Sequence, residues 1–220
     1  MTPAEKFKEE MGEVKLARMN RILQSAFNLF SEKGIDTIAM TDIAKAAEIG
    51  VASLYRYYST KDEIAIQTAI WIWEKEKKAM VERISDKAFS DKKGLKQIED
   101  IFNLFIELFQ TESPFFRFIY FFDSFAVRTQ ITADRLIEYE AIIMSVQKII
   151  EESIKKGISD GSINKDFENI VNEIYFSLMH TFFSTAQKLS LSGNLLRMDQ
   201  IHSGCNELKT LSQLLIKGLM

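Results

Sequence analysis

Few side chains in this 220-residue sequence have the types and spacing to run a reaction. Cys205 is the only cysteine, which excludes an internal disulfide framework and a Cys-rich zinc or iron–sulfur site. Of the two histidines, His180 and His202, His180 has no second histidine or acid at helical ligand spacing, so no metal site is expected. No Ser/His/Asp set and no glycine-rich phosphate loop is present, and neither catalytic residues nor a cofactor are expected. Residues 51–61, VASLYRYYSTK, suit a different chemistry. A helix that reads bases buries one face and offers small or polar side chains on the other, so that its amino end enters the major groove. Leu54 is the buried anchor of such a helix, and Val51, Ala52, Ser53, Arg56 and Tyr57 are available to face outward. Ala52 and Ser53 are small enough for close approach. Tyr55, Tyr57, Ser59, Thr60 and Lys61 can donate to phosphates around the helix end. Arg56 can pair bidentately with guanine; a phosphate or a neighbouring acid are its alternative partners.

Positioning these residues falls to helices. Two prolines and nine glycines are too few for a strand-rich chain, and nearly every segment repeats its apolar residues with helical period. A first helix is expected at 14–33, with Ile22, Leu23, Ala26, Phe27 and Phe30 on one face. Gly34 closes it in the left-handed conformation, and Ile35 packs back on Phe30. Short helices at 40–47 and 51–57 flank a break at Glu48–Gly50, a helix-turn-helix arrangement. Asp62 and Glu63 open a longer helix towards Glu82, acids suiting its amino end. Further helices are expected at 95–111, from Ser113 as N-cap with Pro114 first inside, at 132–156 ending at Gly157, at 166–191 broken by Gly193 and Asn194, and at 198–217. The expected fold class is all-α, with a helix-turn-helix domain at 1–62 and a helical domain at 63–220.

Bulk properties agree. There are 28 Lys+Arg against 31 Asp+Glu, a net charge of −3. Folding at 25.4 kDa leaves a surface of about 10,000 Å², burying roughly 70% of the extended chain's area. No run of 18 or more uncharged apolar residues indicates a membrane span. The amino end is charged and lacks the apolar core of a secretory signal, so a cytoplasmic protein is expected.

The segment RILQSAFNLFSEKGIDTIAMTDIAKAAEIGVASLYRYYSTKDEI resembles the DNA-binding domain of the tetracycline-repressor (TetR) family, over about residues 18–64. KGISDGSINKD, at 156–166, is similar to the glycine-punctuated link between that family's seventh and eighth helices. The resemblance implies a homodimer whose all-helical C-terminal domain binds a small effector and whose last two helices form a four-helix dimer interface. It implies that Thr41 touches DNA near the start of the second helix. Val51, Ala52 and Ser53 open the recognition helix, Tyr55 is the family's near-standard tyrosine, and Tyr57 and Lys61 contact phosphate. Three positions depart from the family pattern: Ala39 where a Thr often caps, Glu48 in place of the turn glycine, and Gly50 in place of a Ser/Thr cap. Residues 1–62 hold nine Lys/Arg and nine Asp/Glu, so few phosphate contacts and a moderate salt dependence are expected.

The second half is rich in rings. Residues 102–125 contain ten aromatics, with Tyr175, Phe176, Phe182 and Phe183 later and Trp71 and Trp73 earlier. Most are core. The density at 115–125 exceeds what one helix face buries, so some should line an effector cavity or an interface. The expected effector contacts are Phe102, Phe105, Phe109, Phe118, Phe122, Tyr175, Met179 and His180, for a small hydrophobic or aromatic molecule. His180 is alternatively a core or seam histidine. Asp123 and Arg128 either orient a polar ligand group or are solvated, and Cys205 is a small core or interface residue or a redox sensor. The helices near 166–191 and 198–217 have wide apolar faces, and Ile170, Ile174, Leu178, Leu208, Leu211 and Leu215 suit a dimer seam. The reading is a ligand-responsive repressor that binds a palindromic double-stranded operator as a dimer; the alternative is a helical ligand-binding or co-regulator protein with weakened DNA binding.

Overall fold

The computed structural model describes residues 3–192, 195, 197, 199–201 and 203–220, with side chains from residue 12 onward except that of residue 200. Gly193, Asn194, Met198 and His202, which the sequence reading assigned to a helix break and a helix start or counted as a histidine, lie outside them. Ten α-helices are present among the described residues: α1 (Pro3–Lys33), α2 (Met40–Ala46), α3 (Val51–Tyr57), α4 (Lys61–Ile84), α5 (Lys87–Ser90), α6 (Gly94–Thr111), α7 (Ser113–Arg128), α8 (Ile137–Ser159), α9 (Val171–Ser192) and α10 (Gly204–Lys217). Three 3₁₀ turns (Ala133–Leu136, Lys165–Phe167 and Asp199–Ile201) precede α8, α9 and α10.

The amino-terminal unit forms as its residue types dictate. Ile22, Ala26, Phe27 and Phe30 bury one stripe of α1, and Gly34 turns the chain at φ 78° with its N–H bonded to the Phe30 carbonyl at 2.9 Å. Ile43 and Ala44 anchor α2, and Leu54 anchors α3. Helix α4 runs unbroken through position 62 and packs on α1, α7 and α8. Buried side chains of both halves join in a single apolar cluster.

Glycines fix one helix crossing. A Cβ on Gly94, at the start of α6, would lie 2.0 Å from the Gly157 nitrogen in α8, and a Cβ on Gly157 would lie 2.5 Å from Ile163 Cδ1. The first amides of α6 are capped from the chain beyond α8: Gly94 N donates to Asp160 Oδ2 at 2.8 Å and Leu95 N to Ser162 Oγ at 3.1 Å. Gly157 therefore does not end the helix as the sequence reading had it. Helix α8 continues to Ser159, and the turn falls at Gly161, with φ 73°. The next helix likewise begins later than 166. Asn164 accepts from the Asp166 amide at 3.0 Å and holds a 3₁₀ turn, so α9 proper starts at Val171. Ser113 is inside α7 rather than capping it; Glu112 precedes the helix without a side-chain cap, and Pro114 sits in the first turn as expected.

The expected dimer seam also needs correction. Ile174, Leu178 and Leu208 are buried within their own chain, because α9 packs on α7, α8 and α10 and α10 packs on α6. Leu211 and Leu215 are half-buried. On these two helices and their ends, Ile170, Phe176, Leu191, Ile201, Leu214 and Met220 are larger apolar side chains left exposed.

Candidate functional site

The turn before α3 is built without the residues that usually make it. Glu48 occupies the left-handed region at φ 54°. Its N–H bonds to the Lys45 carbonyl at 3.1 Å, and that of Ile49 to the Ala44 carbonyl at 3.0 Å. These two bonds close the end of α2 as a Schellman motif, whose C′ residue must be left-handed. Ala39 has no side-chain oxygen to cap α2, and Asp42 compensates by accepting from the Ala39 N–H at 2.9 Å. Gly50 precedes α3 with extended backbone and offers its carbonyl to Ser53 N at 2.9 Å and Leu54 N at 3.0 Å.

Leu54, fully buried, and Tyr58, just past the helix, turn the remaining face of α3 outward. Val51, Ala52, Tyr55 and Arg56 are exposed, Ser53 and Tyr57 half-buried, and Thr41 is exposed in the first turn of α2. Arg56 Nη2 donates to Ser53 Oγ at 3.1 Å and has no ion-pair partner among the described residues. Lys61 is placed otherwise than the family resemblance implied. Its ammonium donates to the carbonyls of Ile35 at 3.0 Å and of Asp36 and Ile38 at 3.1 Å, and lies 5.9 Å from the centre of the Phe125 ring. All three of its protons are thus engaged in tying the α1–α2 loop to α4, and none is left for a phosphate in this arrangement. Burial pushes the Tyr58 phenol up to about 12, the Glu63 charge adding to it.

Helix α7 and the chain after it hold this unit against the rest. Phe118 packs edge-on to Phe27 with ring centres 5.5 Å apart, and Phe121 lies over Gly34. Arg117 Nε donates to the Ser31 carbonyl at 3.1 Å, Arg128 pairs with Asp36, and Arg135 reaches Asp62 at 3.3 Å. Arg128 is therefore a contact to the α1–α2 loop rather than to a ligand.

A cavity of about 320 Å³ opens between α4, α7, α8 and α9. Its walls include Trp73, Asp123, Tyr139, Tyr175, Met179 and His180, with Phe176 and Phe183. A second cavity of about 230 Å³ shares Trp73 and Val146 with the first, and its walls include Phe105, Glu76, Arg83 and Glu107. Of the expected effector contacts, Tyr175, Met179 and His180 line the larger cavity and Phe105 the smaller. Phe102, Phe118 and Phe122 lie in the packed core, and Phe109 packs against Phe116, 5.8 Å between centres. Trp73 and Tyr139 were not singled out as wall residues; an aromatic on a helix stripe gives no sign of which neighbour it will meet. A lone acid in the apolar run PFFRFIYFFDSF was the one available signal, and Asp123 does face the larger cavity. Its carboxyl is pushed up to about 6 by burial. The Tyr139 hydroxyl is pushed well above the usual phenol range, by burial first and by the Asp123 charge second. No group of His, Cys, Asp and Glu suited to a metal ion occurs among the described residues, and no helix among them is long and apolar enough to cross a membrane.

A short helix presenting small side chains, seated on a three-helix unit and backed by a helical bundle with an apolar cavity, defines a helix-turn-helix protein with an appended helical domain. Residues 22–68 match the model of the family described as bacterial regulatory proteins, tetR family. The biofilm operon icaADBC negative transcriptional regulator IcaR of Staphylococcus epidermidis is 47% identical over 45 residues, 20% of this chain and 24% of that protein. The alignment thus spans about a quarter of that relative's length. The fold likeness extends much further. The fatty acid degradation regulator FadR from Bacillus halodurans superposes with a TM-score of 0.68 at 12% identity, covering 90% of this chain and 94% of that one. FadR from Bacillus subtilis, in complex with stearoyl-CoA, does so at 0.67 and 17%, covering 91% and 98%. Residues 22–68 are thus similar to the amino-terminal domain of the tetR family, and the chain as a whole shares the all-helical fold of the two FadR structures.

Proposed function

We propose that this chain is a ligand-responsive transcriptional repressor. In this reading it binds a palindromic double-stranded operator as a dimer, through Thr41, Val51, Ala52, Ser53, Tyr55, Arg56 and Tyr57. A small hydrophobic or aromatic effector in the C-terminal domain, residues 63–220, releases it. The observation that carries the reading is the shared use of two helices. Helix α4 contributes Trp73 to the larger cavity and Lys61 to the α1–α2 loop. Helix α7 contributes Ile119 and Asp123 to the cavity, and Phe121, Phe125 and Arg128 to the helix-turn-helix unit. A molecule that fits the cavity better in one setting of these helices shifts the population towards that setting, and only by its difference in affinity. The reading requires a dimer, because one short helix reads too few base pairs and a two-fold pair doubles the site.

Selection of bound duplexes from a random DNA pool, at physiological salt and with protein refolded free of co-purified ligand, tests it. The expected result is an enriched palindrome. No enrichment would overturn the operator-binding reading and favour a helical ligand-binding protein instead. Operator affinity that falls when a cavity ligand is added supports release; affinity that rises reverses the sense of the switch.

A further inference from the structure

Contact with phosphates needs cations, and the helix-turn-helix unit proper is short of them. Residues 22–62 hold four Lys/Arg against five Asp/Glu. Of the four, Lys33 lies in the last turn of α1, at the α7 end, and Lys61 is consumed by three carbonyls, which leaves Lys45 and Arg56. The chain just before this unit has the opposite balance: residues 12–21 hold three Lys/Arg against one acid. They belong to α1, yet none of them is buried; Ile22 is the first buried side chain of that helix among those described. Lys15, Arg18 and Arg21 follow at intervals of three and so form one slanting row on the helix, while Glu13, two residues from Lys15, points to the opposite side. Neither Lys15 nor Arg18 has an ion-pair or side-chain hydrogen-bond partner among the described residues.

The direction of α1 places this row. Near the carboxyl end of α1, Phe27 and Phe30 pack on Phe118 of α7, while Arg21 reaches Glu48, in the turn before α3, at 3.9 Å. The path from Phe30 back to Arg21 thus leads from the C-terminal domain to the end of α3 that enters the groove in the operator-binding reading. Residues 3–18 carry the same helix about 24 Å further that way. We propose that Lys15 and Arg18, on this amino-terminal extension of α1, bind the phosphate backbone of duplex DNA beside the bases that α3 reads. The occupant is a polyanion because the row is positive and unpaired, and it is the nucleic acid because the row runs outward from the turn that seats α3. The one described acid of the extension, Glu13, faces away from it. This deepens the operator-binding reading and rests on it. Such contacts carry no sequence information; they fix the register of the protein on the duplex and steepen the salt dependence.

The test uses the full chain, refolded free of co-purified ligand, and a fluorescent duplex of about 30 base pairs and arbitrary sequence, since phosphate contacts do not depend on sequence. Affinity is followed by anisotropy as salt is raised. Lys15→Gln/Arg18→Gln is expected to weaken binding about tenfold or more at about 0.1 M salt. The plot of log affinity against log salt should become shallower by about two for each protomer in contact. Lys148→Gln/Lys155→Gln makes the same change of charge on α8 and should leave that slope alone. Circular dichroism checks the helix. Should the double variant lose it, Lys15→Gln alone, at an exposed position, is expected to cut the slope by about one. An unchanged slope, whether or not affinity falls, overturns the phosphate contact and leaves the operator-binding reading in place. So does an equal change of slope in the α8 pair, which would make net charge the cause. An unaltered protein that binds no duplex at all overturns the DNA-binding reading itself, and this inference with it.

Discussion

Glu48 shows how a single backbone angle can be tolerated rather than preferred. A side chain in the left-handed region crowds its own carbonyl, at roughly 1–2 kcal/mol per residue. Here the Schellman closure of α2 requires that angle, and the fold accepts it because Ile49 and Leu54 must follow in this register. The ion pair of Glu48 with Arg21, at 3.9 Å between two well-exposed side chains, contributes little. Glu48→Gly removes the strain and adds some freedom to the unfolded chain, which offsets part of the gain. The expected net effect is a stabilisation of about 0.5–1 kcal/mol, a rise in melting temperature of about 1–4 °C. Thermal unfolding followed by circular dichroism checks it. No rise, or a fall, would mean that Glu48 makes a contact worth as much as the strain. The same residue bears on DNA binding only through the placement of α3, so operator affinity should hold while stability climbs.

Among the helices, the α6–α8 crossing is the most sharply constrained contact. Two glycines meet there with backbone against backbone, and the Asp160 and Ser162 caps require the crossing to stay close. Gly94→Ala would drive a methyl into the Gly157 peptide and force the helices apart. A destabilisation of about 2–4 kcal/mol is expected, lowering the melting temperature by about 4–16 °C. Gly12→Ala is the control: Gly12 is helical and exposed with nothing within 4 Å of its Cβ position, so alanine should raise stability by up to about 1 kcal/mol. Similar melting shifts for the two variants would show that helix propensity, not the crossing, governs Gly94. This crossing also explains where the sequence was opaque. Along the chain, Gly157 followed by a polar stretch reads as a helix end; its role as a point of contact exists only once α6 lies across it. Helix α3, by contrast, was legible to its exact ends at 51 and 57, because Gly50 and the polar Ser59–Thr60 pair flank one buried anchor. The cavity was half legible. Tyr175, Met179 and His180 lie on one α9 stripe that periodicity reveals, whereas Phe118 and Phe122 share a stripe of α7 that packs on α1 and α8 instead of facing the cavity.

At the scale of the whole molecule, the outer face of α9 and α10 bears on the proposed dimer. Apolar side chains on those helices stay open to solvent: Phe176 is 41% and Leu214 63% exposed. The residues that looked best for a seam on hydrophobicity alone, Ile174, Leu178 and Leu208, are consumed by the chain's own core, so any pairing through α9 and α10 must use what remains. Leu214 is the informative position. Its exposure means that a charge there costs the isolated chain little, within about 0.5 kcal/mol, whereas a charge buried against a second copy without a partner is strongly unfavourable. Leu214→Glu is therefore expected to keep its helical spectrum and melting behaviour at low concentration, while light scattering at micromolar concentration shows 25.4 kDa where the unaltered protein shows twice that mass. Operator binding should fall with it, since two half-sites are then read by separate molecules. An unaltered protein of single-chain mass would remove the dimer from the account. A Leu214→Glu variant that stays dimeric would move the seam away from α10, to the exposed side of α9 around Phe176 and His180, where a partner would stand beside the mouth of the effector cavity.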